Sequence, residues 1–78
     1  MSTVYRVIFT AKLADNPGRI ADRVGMDIDK TLWSANVEII PGYTTLESVP
    51  NILSMAYSGL TNIDPVYAED SDGRIILL

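Results

Sequence analysis

Val4-Tyr5-Arg6-Val7-Ile8-Phe9-Thr10-Ala11-Lys12-Leu13 is the stretch on which the architecture turns. Tyr5, Val7, Phe9, Ala11 and Leu13 alternate with Arg6, Thr10 and Lys12, which share their face with Val4 and Ile8. Period-two alternation in a run rich in β-branched and aromatic residues predicts a β-strand. The chain has 78 residues, of which 47% are hydrophobic, enough for one small core and one domain spanning 1–78.

Outward from this strand, Asp15-Asn16-Pro17-Gly18 breaks the alternation. Asn16 as N-cap and Pro17 at the first helical position predict a helix, with Ile20, Ala21 and Val24 on one face and Gly25 as its stop. Residues 26–35 are ambiguous; Asp27 or Asp29 is placed to cap a short helical turn carrying Ile28, Leu32 and Trp33. Asn36 to Ile40 reads as strand, Pro41-Gly42 as a turn, and Tyr43 to Leu46 as a short edge strand. Val49, Ile52, Leu53, Ala56, Tyr57 and Leu60 form the stripe of a second helix, with Ser48 as cap, Pro50 in its first turn and Gly59 near its end. Val66 to Glu69 and Arg74 to Leu78 flank Asp70-Ser71-Asp72-Gly73, a hairpin signal of type I′. Assembled, these elements predict an α+β fold, a small two-layer sandwich with a mostly antiparallel sheet of four to five strands and two helices on one face. The ferredoxin-like βαββαβ plan matches that order.

The chain contains no histidine and no cysteine. A serine or threonine nucleophile then lacks its usual base, and thiol chemistry is excluded. The few remaining lysines sit in no serine-lysine motif. A core this small offers little concavity in which to raise a carboxylate's pKa for acid catalysis. The expectation is a non-enzyme with no catalytic residues, no metal and no cofactor. Glu69-Asp70-Ser71-Asp72-Gly73 looks like the middle of a calcium loop, but Ala68 stands at the first ligand position and the final glutamate is missing. A hairpin tip is the better reading.

The segment Asp15-Asn16-Pro17-Gly18-Arg19-Ile20-Ala21 resembles the start of the first helix of ACT domains, where a strand is followed by D-x-P-G-x-[LI]-[AS]. The resemblance covers about a dozen residues. It implies a βαββαβ fold, dimer formation through paired sheets or helices, and an amino-acid site at this loop. Gly25 to Asp29 and the extra C-terminal strand depart from that family. Read from the residues alone, a helix start with Arg19 and Arg23 beside it attracts anions, so Asn16, Gly18, Arg19 and Arg23 are the candidate ligand-binding residues of this alternative.

Charge is distributed unevenly. Residues 1–30 hold Arg6, Lys12, Arg19, Arg23 and Lys30 against Asp15, Asp22, Asp27 and Asp29, a net of +1; residues 31–78 hold Arg74 against Glu38, Glu47, Asp64, Glu69, Asp70 and Asp72, a net of −5. Such a surface repels phosphate backbones, making direct nucleic-acid binding unfavourable, and steers towards a basic protein surface. The leading expectation is a small acidic interaction protein, an inhibitor seated on a basic, nucleic-acid-binding protein surface as small virus-encoded anti-defence proteins do. Its candidate contact residues are Glu69, Asp70, Asp72 and Asp64 with the aromatics Trp33 and Tyr43. Further readings are an ACT-like ligand sensor and a structural subunit that inserts Ile75-Ile76-Leu77-Leu78 into a neighbour. A domain of this size without disulfides or metal also favours a homo-oligomer. Met1-Ser2-Thr3 shows no signal-peptide pattern and no apolar run approaches membrane-spanning length, which predicts a soluble cytoplasmic protein with no membrane partner.

Overall fold

The computed structural model describes residues 2–15 and 18–78. Five strands form one sheet in the order β2-β3-β1-β4-β5, every neighbouring pair antiparallel: β1 (Thr3–Leu13), β2 (Asp22–Asp27), β3 (Lys30–Ile39), β4 (Leu60–Glu69) and β5 (Ile75–Leu77). Among the described residues a single α-helix, α1 (Val49–Ala56), follows a 3-10 turn at Leu46–Ser48 and lies on one face. The molecule is 37 Å long, about the length of an eleven-residue strand at ~3.3 Å per residue.

β1 is the middle strand, and its five residues from Val7 to Ala11 are all buried. Directly opposed residues of antiparallel strands share a face, so Val7, Phe9 and Ala11 join Trp33, Ala35, Val37 and Ala68 beneath α1, where Val49 and Leu53 close the core. On the other face Ile8 is flanked by Ser34 and Tyr67, and Thr10 by Leu32 and Asp64. Among the described residues, that face carries no helix. Its central residues are covered by their neighbours on a sheet curled by bulges in β4 and β2, which bend the bulged strand and increase its twist. Asn62, at one of these bulges, takes the left-handed conformation with φ 54°.

The expected ferredoxin-like sandwich with two helices on one face is not the fold. Asn16 and Pro17, the expected cap and first helical residue, lie outside the described residues; residues 18–21 are irregular, and Asp22–Asp27 is a strand. With that helix absent, the βαββαβ arrangement implied by the ACT resemblance is absent too. The physical reason is the scarcity of burial on the expected stripe: Ala21 enters the core, but Ile20 is 49% and Val24 43% exposed. A helix of two or three turns is marginal without a packed face, whereas β2 gains a ladder along β3.

Ala14, Gly18 and Arg19, between β1 and β2, are instead clamped to the end of α1. Ala14 N–H donates to Gly59 O, Gly59 N–H donates to Arg19 O, and the Arg19 guanidinium sits 5.7 Å from the Tyr57 ring centre. A Cβ on Gly18 would stand 2.6 Å from the Gly59 nitrogen, and one on Gly59 would stand 2.7 Å from the Gly18 oxygen. Both positions need hydrogen where other residues have carbon. The same clamp accounts for the shortened helix, which stops at Ala56 so that Leu60 can begin β4 in the core.

Other expectations shift locally. Residues 26–35 hold a β-hairpin whose two-residue link is Ile28-Asp29, not a helical turn. Tyr43 to Leu46 forms no strand; Tyr43 and Thr44 N–H groups fold back on Ile40 O after the Pro41-Gly42 turn. Ser48 precedes α1 as expected, but its backbone is already helical and its hydroxyl makes no capping bond. The strand expected from Val66 starts earlier, at Leu60.

Two substitutions test these features. Gly18→Ala should destabilise the domain by about 2 kcal/mol, lowering the melting temperature by roughly 10 °C for a chain of this size; an unchanged melting curve would refute the clamp. Ile28, a β-branched residue with φ 56°, pays about 1 kcal/mol for its left-handed backbone, so Ile28→Gly should raise the urea midpoint.

Candidate protein-binding surface

The β4–β5 hairpin is built by one carboxylate. Asp70 Oδ1 accepts the N–H groups of Asp72 and Arg74, both at 2.9 Å, while Gly73 N–H donates to Asp70 O and Asp70 N–H to Arg74 O. Gly73 takes φ 82° and Asp72 has no positive φ. This is a type I turn closed by a left-handed glycine, the three-residue form of hairpin. The type I′ turn expected from Asp72-Gly73 is therefore replaced by a turn one residue longer, because the Asp70 side chain caps two donors at once.

That turn determines which acids meet. Glu69 lies opposite Arg6 on β1, and Arg6 in turn lies opposite Asn36 on β3. Two residues further along β3, Glu38 lies opposite Val4 and accepts a 3.0 Å hydrogen bond from the Ser2 hydroxyl. Tyr43, 86% exposed, sits in the turn after Ile39, which is paired with Thr3. Glu38, Tyr43, Glu69, Asp70 and Asp72 thus occupy the same end of the sheet, the end where β1 begins. Lys12 and Lys30 occupy the opposite end with Asp27 and Asp29. Arg6, opposite Glu69, and Arg74, in the Asp70 turn, also lie at the first end, which so carries a net of −2 from 4 carboxylates and 2 guanidiniums against 0 from 2 lysines and 2 carboxylates at the other; the imbalance between halves of the sequence becomes an imbalance between ends of the sheet.

Asp64 is separated from this group. It faces Thr10, about 15 Å along β4 from Glu69 at strand rise. Trp33, considered in the sequence as an anchor, is 3% exposed; it opposes Phe9, and its indole N–H donates to Ala11 O at 3.2 Å. It belongs to the core. Of the alternative ligand residues, Asn16 lies outside the described residues, Gly18 is packed on Gly59, Arg19 covers Tyr57, and Arg23 stands on the exposed edge strand β2. Residues 18–21, which were to continue the helix uniting them, are irregular.

Sequence reasoning did not include Glu38 in the group. Its alternation with Val37 in the stretch from Asn36 to Ile40 marks it as outward-facing, but only strand order brings it near Glu69. A groove of about 500 Å³ at the lysine end is lined by Lys12, Lys30, Asp29 and Asp64 among others, and so presents both signs of charge. Among the described residues, no group of three or more carboxylates is arranged to hold a metal ion. No helix there is long and apolar enough to cross a membrane.

Searches found no matching protein-family model, no matching curated protein and no matching solved structure.

Because Asp70 builds the turn, Asp70→Ala should cost about 1–2 kcal/mol in chemical denaturation, whereas Asp70→Asn, which keeps the acceptor oxygen, should cost less than half as much. Equal losses for the two would show that the carboxylate does not organise the hairpin.

Proposed function

We propose that this chain is a non-catalytic binding module that docks on a basic protein surface through the acidic end of its sheet. The observation that carries this reading is the convergence of Glu38, Glu69, Asp70 and Asp72 with exposed Tyr43 at one end, while the lysines lie at the other. Charge separated in this way orients an approaching cationic partner and raises the rate of productive encounter. Tyr43 supplies the apolar contact area that a purely charged rim lacks. Glu69, Asp70 and Asp72 sit on a hairpin stiffened by side-chain hydrogen bonds, so little conformational freedom is lost there on docking. A partner surface that ordinarily holds nucleic acid fits best, since carboxylates at the rim of a rigid turn mimic the sign of a phosphate backbone.

The test uses a basic single-stranded-DNA-binding domain as the probe, with titration against the wild-type chain and against two charge-reversed variants. Glu69→Lys with Asp72→Lys should weaken binding at least tenfold while the hairpin stays folded, because Asp70 is retained; the lysine set opposite Arg6 should lower the melting temperature by no more than a few degrees. Lys12→Glu with Lys30→Glu should not weaken it. Competition by oligonucleotide and loss of affinity with salt are expected alongside. Equal effects at the two ends, or no binding to any basic probe in such a series, would overturn the reading.

A further inference from the structure

We infer that the chain forms a two-fold dimer in which β5 pairs with β5 of a second copy, antiparallel and centred on Ile76, and Arg74 of each copy meets Glu47 of the other. The inference is independent of what binds the acidic turn.

The two edges of the sheet differ. β2 carries Asp22, Arg23 and Asp27 and is bent by a bulge between Arg23 and Gly25, devices that block strand addition. β5 carries only Ile75, Ile76 and Leu77, with Leu77 82% and Ile75 53% exposed. An apolar edge without charge or bulge invites a partner strand. Since only one edge is open, pairing stops at two copies and no filament grows.

The phase of the hydrogen bonds sets the register. Asp70 N–H donates to Arg74 O, and Leu78 N–H donates to Val66 O. In an antiparallel ladder, successive residues direct both backbone groups to alternate sides. Arg74, Ile76 and Leu78 therefore bond inward to β4, and the N–H and C=O groups of Ile75 and Leu77 point away from the sheet. A two-fold axis at Ile76 places Ile75 opposite Leu77 of the second copy, where each such pair exchanges two hydrogen bonds. The exposed apolar side chains of these residues then cover one another on the open face.

Charge complementarity selects a second copy as the occupant. Ile76 is opposite Ala68, a residue of the buried core beneath α1, so Arg74 and Leu78, two positions away on either side, share the helix side. A groove of about 590 Å³ opens across this edge, lined on the helix side by Glu47, Pro50, Ile76 and Leu78 and from the open face by Asp64 and Leu77. The two-fold register sets Arg74 of the second copy opposite Leu78, on the helix side where the groove holds Glu47. Arg74 is the only cation in residues 31–78, and it arrives at carboxylates twice by symmetry. The Asp70–Gly73 turns remain outside the paired segment, at opposite ends of the seam.

Sedimentation velocity over a concentration series tests this. The wild-type chain should dimerise at micromolar to submillimolar concentration. Leu77→Lys should be monomeric throughout with an unchanged circular dichroism spectrum. Arg74→Glu and Glu47→Arg should each weaken the dimer at least tenfold, and the double variant should recover to within about threefold of wild type. Because the chain has no cysteine, Ile76→Cys should yield a disulfide-linked dimer under mild oxidation. A wild-type monomer at millimolar concentration, a dimer indifferent to Leu77→Lys, or a charge-swapped variant no better than its single parents would overturn the proposal.

Discussion

The burial of Val7 to Ala11 on both faces of the central strand is the constraint on which the rest of this structure depends. A strand so placed must have neighbours on both edges and cover on both faces. β3 and β4 supply the edges. Beneath α1 the cover is a packed core in which Phe9, Trp33, Val49 and Leu53 meet; on the other face it is the flanking side chains of β3 and β4 themselves. Burying five consecutive residues in a chain this short concentrates much of its hydrophobic stabilisation in one strand.

From that placement the surface follows. With β1 in the middle, its beginning lies between the end of β3 and the end of β4, and the turns leaving those strands emerge side by side. One carries Tyr43, the other Asp70 and Asp72. The same arrangement leaves β2 and β5 as edges, one charged and kinked, the other short and apolar. The acidic end and the apolar edge are separate surfaces, each with its own chemistry, and neither requires a reactive side chain.

Much of this was legible in the residues. The alternation from Val4 to Leu13 marked a strand, though not its central place, the stripe from Val49 marked the helix, and Asp70-Ser71-Asp72-Gly73 marked the hairpin. Residues 18–27 misled because Ile20, Ala21 and Val24 happen to fall at helical spacing, while the forces that decide their state are remote: the contact of Gly18 with Gly59 and the ladder between β2 and β3. Trp33 beside an irregular-looking stretch suggested an exposed anchor, yet its partner Phe9 lies 24 residues earlier. Grouping Asp64 with the other acids followed from proximity in sequence; the length of β4 parts them, and strand order brings in Glu38 instead.

Native-state amide hydrogen exchange bears most directly on the central claim. The account predicts that the amides of Val7 to Ala11 exchange more slowly than any others, at the rate of global unfolding, with those of β2 and β5 opening much sooner. Exchange of Val7 to Ala11 as fast as that of the edge strands, or slowest exchange in residues 18–24, would contradict it.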